Sequence, residues 1–264
     1  MCLIALAWNV HPRYPLAMIA NRDELHARPT APAGRDPDYP DVFGGRDLVQ
    51  GGGWLMVSAR GRMAAVTNVR VGLNPETAAL SRGALVRDFV TGTASAQDYL
   101  AALAATAPDH GRFNLLAWDG DSLCFATNHP QYATRVIEPG IHAMSNGALD
   151  ATWPKGTHAT QALSSWLAAH TSEALDTDVL FDALADTTQA PDPVLPDTGV
   201  GIELERALSP PFLRGEIYGT RCSTIVLVAA DEMTFLERRF GPNATPAGET
   251  AALLSRTGLA KATL

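Results

Sequence analysis

Apolar residues along the chain fall into short runs separated by turn formers, and the runs are of two kinds. Residues 3–8 and 15–20 are continuous apolar stretches joined by Asn9-Val10-His11-Pro12-Arg13-Tyr14, which predicts a hairpin of strands buried on both faces. Residues 54–58 and 63–67 repeat the pattern around Arg60-Gly61-Arg62. Residues 113–118, 122–127, 135–138 and 141–144 read as a meander with turns at Asp119-Gly120 and Pro139-Gly140. Residues 221–230 and 233–240 form a last hairpin through Asp231-Glu232. Helical signals lie between these groups. Ser81 caps a helix over 82–90, Ser95 caps another over 96–105, Trp153-Pro154 opens an amphipathic helix reaching 170, and a further helix covers 177–185. Residues 25–46 and 187–201 carry proline without any period and read as loops. The succession strands, helices, strands, helices, strands predicts an α+β fold of layered antiparallel sheets covered by helices, in one domain over 1–264.

Composition narrows the function classes. The chain is 46% hydrophobic and 18% charged, enough for a large core and unlike a disordered protein. Its formal net charge is -8 and no segment carries a basic stripe, which argues against a nucleic-acid partner. Its only lysines are Lys155 and Lys261. Cys2, Cys124 and Cys222 are odd in number and widely spaced, so neither a disulfide framework nor a CxxC metal knuckle is expected. The opening apolar run has no positive flank and is too short for a signal peptide, and no stretch approaches a membrane span. A cytoplasmic location is the expectation, and oligomeric state is not legible.

Cys2 carries the candidate chemistry. Aminopeptidases remove an initiator Met ahead of a small residue, which would leave a thiol and a free amine on Cys2. An α-amine titrates at about 8 and a thiol at about 8.5, so the amine can take the proton from its own thiol. Such a nucleophile needs no histidine base. The ordinary alternative is a small hydrophobe in a strand. Hairpin pairing brings the polar run Asn21-Arg22-Asp23-Glu24, expected at the end of the second strand, beside Cys2. A guanidinium there favours the thiolate, and a carboxylate can hold the amine. Further polar groups sit at expected strand ends in Thr67-Asn68, Ser145-Asn146 and Gly219-Thr220-Arg221; amide side chains near a nucleophile suit a developing oxyanion.

Met1-Cys2-Leu3-Ile4, Ala20-Asn21-Arg22-Asp23-Glu24, Ala65-Val66-Thr67-Asn68-Val69-Arg70, Ser145-Asn146 with Trp153-Pro154-Lys155, and Tyr218-Gly219-Thr220-Arg221 together resemble the NRDE family, also called the transport and Golgi organisation protein 2 family. That family is similar in turn to N-terminal nucleophile hydrolases of the choloylglycine hydrolase and penicillin V acylase type. The resemblance implies a four-layer αββα sandwich and hydrolysis of a linear amide in a small N-acyl substrate through an acyl-thioester at Cys2. It implies Asn68 as the oxyanion asparagine, Asn146 as a second active-site asparagine, Arg221 as a late active-site arginine, and no cofactor. The hydrolases carry Gly-Arg-Asn-x-Asp where this chain has Ala20-Asn21-Arg22-Asp23-Glu24. Either Arg22 and Asp23 take those roles with a local shift, or Glu24 replaces the aspartate. Asn21, Glu24 and Trp54 are the candidate substrate contacts. The family has also been linked to intracellular haem trafficking, so the alternative implied is a non-enzymatic haem carrier with His26 as the candidate ligand. No pair among the seven histidines has metal-ligand spacing.

Overall fold

A computed structural model describes residues 2–73, 78–169 and 176–256. The first hairpin pairs β1 (Cys2–Trp8) with β2 (Leu16–Leu25), Leu3 lying opposite Asn21 and Trp8 opposite Leu16. Both strands read as unbroken apolar runs because both of their faces are covered. Ile4, Leu6 and Trp8 pack toward a second sheet, whereas Leu3, Ala5 and Ala7 pack toward helices.

Two antiparallel sheets result. The first has the order β10-β1-β2-β11-β12-β13, with β10 (Gly140–Met144), β11 (Tyr218–Val228), β12 (Glu232–Phe240) and β13 (Pro246–Ser255). The second runs β3 to β9 in sequence order: β3 (Thr30–Arg35), β4 (Val42–Asp47), β5 (Gly53–Ser58), β6 (Arg62–Asn68), β7 (Phe113–Trp118), β8 (Leu123–Thr127) and β9 (Ala133–Val136). One apolar cluster fills the space between the sheets, from Ile4 and Met18 to Leu55, Trp118 and Phe235. A second joins the outer face of the seven-stranded sheet to α1 (Arg82–Thr91) and α2 (Ala96–Leu103). A third joins the outer face of the six-stranded sheet to α3 (Pro154–Ala169) and α4 (Asp178–Leu184). The layering is αββα, as the resemblance implied.

Ser81 and Ser95 cap α1 and α2 as expected, each accepting a backbone N–H bond on its hydroxyl. Three other expectations are corrected, and two elements are added. Residues 25–46 are not one long loop, because β3 and β4 lie within them. Gly44 is a strand glycine, since a Cβ there would stand 2.5 Å from the Leu55 carbonyl oxygen of β5. The run Asn21 to Glu24 does not follow a strand but lies inside β2, which continues to Leu25. The 113–144 segment is not one meander, because β9 closes the edge of one sheet and β10 opens the edge of the other. Residues 202–207 form a short helix, α5 (Ile202–Ala207), and β13 adds an edge strand absent from the sequence reading. His170 and Lys261 lie outside the described residues.

Candidate active site

Cys2 opens β1 directly opposite Arg22 of β2, and Arg22 in turn lies opposite Cys222 of β11. Cross-strand partners share a face, so both thiols flank one guanidinium between the sheets. Cys2 is 7% exposed and lines a cavity of about 150 Å³ together with Arg22, Asp23, Glu24, Trp54 and Asn68. Burial pushes the Cys2 thiol up; the positive amino terminus and Arg22 oppose this, and Asp23 and Glu24 add to it. Arg22 thus acts in the expected direction, but burial outweighs it. The thiol therefore stays protonated at neutral pH and needs a base.

Strand alternation divides the Asn21 to Glu24 run. Arg22 faces the space between the sheets, while Asn21 faces the helices and is fully buried there. Its Nδ2 donates to the carbonyls of Leu184 (2.8 Å) and Pro211 (2.9 Å), and its Oδ1 accepts from the Ser223 hydroxyl (2.6 Å). Asn21 is thus not brought to the cavity as a substrate contact. Its polar atoms tie β2 to β11, α4 and the segment after α5. The Asp23 Oδ1 accepts from the Thr220 hydroxyl at 2.7 Å. Burial raises the Asp23 carboxyl, opposed by the positive amino terminus, Lys155, the Thr220 bond and Arg22. Glu24 instead pairs with Arg22 (3.7 Å) and Arg28 (4.0 Å).

Asn68 ends β6 on the cavity wall. The fully buried Asn146 donates through Nδ2 to the Asn68 carbonyl (2.9 Å) and to Asn68 Oδ1 (3.1 Å). These bonds fix which end of the Asn68 amide is oxygen and leave its own Nδ2 as the group with donors to spare. Asn146 is consumed in holding Asn68, so it orients the oxyanion candidate and does not line the cavity itself. The Ser145 hydroxyl bonds the Cys2 carbonyl (2.8 Å), and the Thr67 hydroxyl bonds the Ser145 carbonyl, tying the two sheets together beside the thiol. Arg221 lies on an irregularity of β11, donates to the carbonyls of Leu25 and Arg28, and lines a neighbouring cavity of about 200 Å³ with Cys222 and Glu237. It braces the β2–β3 turn and is not among the residues around Cys2. Trp54 forms a wall of both cavities.

The family model for "Transport and Golgi organisation 2" matches residues 1–242. The chain belongs to the Transport and Golgi organisation 2 family. It is similar to the human protein Transport and Golgi organization protein 2 homolog, with 34% identity over 90% of this chain and 92% of that protein. It is also similar to the Mus musculus homolog, with 32% identity over 95% and 97%. Among solved structures it shares its fold with a Caenorhabditis elegans ortholog of N-acylethanolamine-hydrolyzing acid amidase (TM-score 0.51, 11% identity, 86% of this chain and 92% of that one). A variant of the conjugated bile acid hydrolase of Clostridium perfringens aligns with TM-score 0.52 at 6% identity, over 96% and 92%.

Within this member of the Transport and Golgi organisation 2 family, two features were not singled out as functional from sequence. One is Lys155, in the first turn of α3, which is 3% exposed and acts electrostatically on both Asp23 and Cys2. In the sequence it stands out only as a rare residue type and as part of the Trp153-Pro154-Lys155 motif, neither of which assigns it a role. The other is a cavity of about 1070 Å³ lined by Val69, Phe125, Leu149 and Trp153 with Arg70 and Arg135. It adjoins the asparagine pair, since Val69 follows Asn68, Gly147 follows Asn146, and the Arg70 N–H donates to the Asn146 carbonyl (2.8 Å). His26, the haem candidate, has its Nδ1 buried without a hydrogen-bond partner, and its ring is packed beside Gly219, the Gly215 backbone and Arg221. As placed, the ring offers no open nitrogen to a group of haem's size, and no step is derived through haem. No helix among the described residues is long and apolar enough to cross a membrane.

Proposed function

We propose that the protein is an N-terminal cysteine amidohydrolase acting on the linear amide of a small N-acyl substrate. The observation that carries this reading is the meeting of Cys2, at the first position of β1, with Asn68, whose amide is clamped by Asn146 so that Nδ2 is left for the cavity. Removal of Met1 frees the Cys2 amine. That amine accepts the thiol proton as Sγ attacks the amide carbon, and the carbonyl electron pair moves onto oxygen, where Asn68 Nδ2 donates to it. As the intermediate collapses, the C–N bond breaks and the ammonium returns its proton to the leaving nitrogen. Water then attacks the thioester with the same amine as base, releasing a carboxylic acid and the free thiol.

Asp23 is the carboxylate assigned to the amine, because it lines the Cys2 cavity while Glu24 is engaged with Arg22. Arg22 moderates the thiol, and the larger cavity beyond the asparagine pair takes the bulk of the acyl group. The test is intact mass of untagged protein followed by a panel of N-acyl amides. Loss of Met1, turnover of an amide, and loss of that turnover in Cys2→Ala with the fold retained are the expected results. Met1 retained throughout folded protein expressed at a low level, or undiminished turnover in Cys2→Ala, refutes the reading.

A further inference from the structure

The cavity around Cys2 holds more positive than negative side chains. Arg22, Arg28, Arg46 and Arg82 line it, with Asp23, Glu24 and Asp47. Most of these charges are already engaged. Asp47 holds Arg28 at two points, Nε (2.9 Å) and Nη2 (2.6 Å). Arg22 lies 3.7 Å from Glu24 and donates to the Thr30 hydroxyl, Arg82 donates to the Arg112 carbonyl, and Asp23 accepts from the Thr220 hydroxyl. Arg46 differs, because its side chain has no hydrogen bond or ion pair to any described residue. It stands near the end of β4, just past an irregularity in the ladder, and its cross-strand neighbour on β5 is Gly53, which puts no side chain beside it. Ser81, Arg82 and Gly83 at the start of α1 border the same cavity. The first turn of that helix holds no acidic residue, so its partial positive charge adds to that of Arg46.

A half-buried guanidinium without a partner, in the cavity of the nucleophile, suits an anion brought in by the substrate. Its position indicates which part of the substrate carries that anion. The large cavity beyond the asparagine pair is assigned to the acyl group, so the Arg46 side is left for the substituent on nitrogen. A volume of about 150 Å³ is roughly that of five waters, room for a short polar group and not for a second long chain. We propose that Arg46 is a substrate-binding residue that pairs with a carboxylate on the nitrogen side of the scissile amide, which makes the substrates N-acyl derivatives of small amino acids. The inference rests on the amidohydrolase reading and deepens it by naming the substrate class. A guanidinium edge meets a carboxylate through two parallel N–H bonds, which orients the amide across the thiol as well as holding it. Arg46 touches only the leaving part, so the contact departs with the free amino acid once the thioester has formed.

The experiment measures binding to full-length Cys2→Ala protein, which lacks the nucleophile, by isothermal titration calorimetry in low salt at about pH 7. The probes are N-octanoylglycine and its neutral isostere N-octanoylglycinamide, which differ only in charge at the Arg46 end. N-octanoylglycine is expected to bind about 10–100-fold more tightly, because the isostere loses a charged hydrogen-bonded pair. Adding Arg46→Gln is expected to cut this preference to about threefold or less, the remaining arginines acting only at longer range. Adding Arg46→Lys, which keeps the charge without the planar fork, is expected to retain part of it. Equal affinity for the two probes overturns the proposal and needs no Arg46 variant to fold. Absence of binding by both probes overturns it as well, and so does a preference that survives intact in folded Arg46→Gln protein. Turnover by protein freed of Met1, with Cys2 in place, tests the amidohydrolase reading separately. The binding preference without turnover of any N-acyl amide refutes hydrolysis and leaves the pairing at Arg46 standing.

Discussion

Replacing Asn21 with alanine separates an architectural role from a substrate-binding one. Its amide ties β2 to two carbonyls, Leu184 at the end of α4 and Pro211 after α5, and receives the Ser223 hydroxyl from β11. All three bonds are buried, and Asn21 itself is inaccessible. Asn21→Ala leaves two carbonyl oxygens and one hydroxyl without partners in the interior, each costing about 1–3 kcal/mol. Ser223 can turn its hydroxyl elsewhere, and a water can enter the space vacated, which brings the sum down to about 3–5 kcal/mol. That is a large fraction of the stability of an ordinary domain, about 5–15 kcal/mol. Asn21→Asp keeps the shape but sets a carboxylate against two carbonyl oxygens, so it is expected to cost at least as much. Urea denaturation followed by far-UV circular dichroism measures this, with the midpoint falling at constant slope. A loss below about 1 kcal/mol for Asn21→Ala would show that these bonds do not hold the helices to the sheet.

Two further predictions address the site and the surface. Asn68→Ala removes the proposed oxyanion donor, and kcat on an identified amide is expected to fall about 100–1,000-fold with KM far less affected; an unchanged kcat would exclude Asn68 from that role. His142 lies 3.0 Å from Asp150 and 3.0 Å from the Glu138 carbonyl; the Asp150 bond raises the imidazole, while hydrogen bonds from His142 and the Ala143 N–H hold Asp150 down against its own burial. The His142 contribution is full below its ordinary pKa of about 6.5 and fades as pH rises through the raised value, and the Asp150 contribution fades as pH falls through the lowered one. His142→Ala is therefore expected to lower the urea midpoint more at about pH 5.5 than at about pH 8.5, and the reverse order would contradict the sign of the His142 shift.

The nucleophile's neighbourhood was legible because hairpin pairing is local: β1 and β2 had to meet, and Arg22 falls opposite Cys2. Which of Asn21, Arg22, Asp23 and Glu24 face the thiol is not legible when the run is read as a strand end. Once it is seen as strand, the two-residue period sends Asn21 to the helices and Arg22 to the space between the sheets. Gly44 and Gly45 made residues 25–46 look like a loop, although in β4 a missing Cβ is what permits close approach to β5. Pro139-Gly140 has the composition of a hairpin turn but marks a crossing between sheets, a distinction that depends on partners distant in sequence. Strand β13 opens with Pro246, Gly248 and Glu249 and carries one short apolar run, residues 251–254, on an exposed edge, too little apolar signal to register. The role of Asn146 depends on bonds to Asn68, and the burial of Lys155 on packing beneath α3, that no local pattern encodes.

The place of β1 inside its sheet also sets a timetable. One neighbour, β2, follows at once, but the other, β10, ends at Met144, and the strand beyond β2 begins only at Tyr218. At about 5–20 residues per second, a ribosome takes on the order of ten seconds to reach Met144 and longer to deliver β11. Throughout that interval the start of the chain has at most a lone hairpin around it, and an isolated hairpin is marginal in water. Under the proposed mechanism, Met1 is removed during this interval, before the sheets close over Cys2. Chain maturation and folding are then competing clocks. Overexpression that outruns the aminopeptidase would yield well-folded protein whose site is permanently blocked by its own first residue.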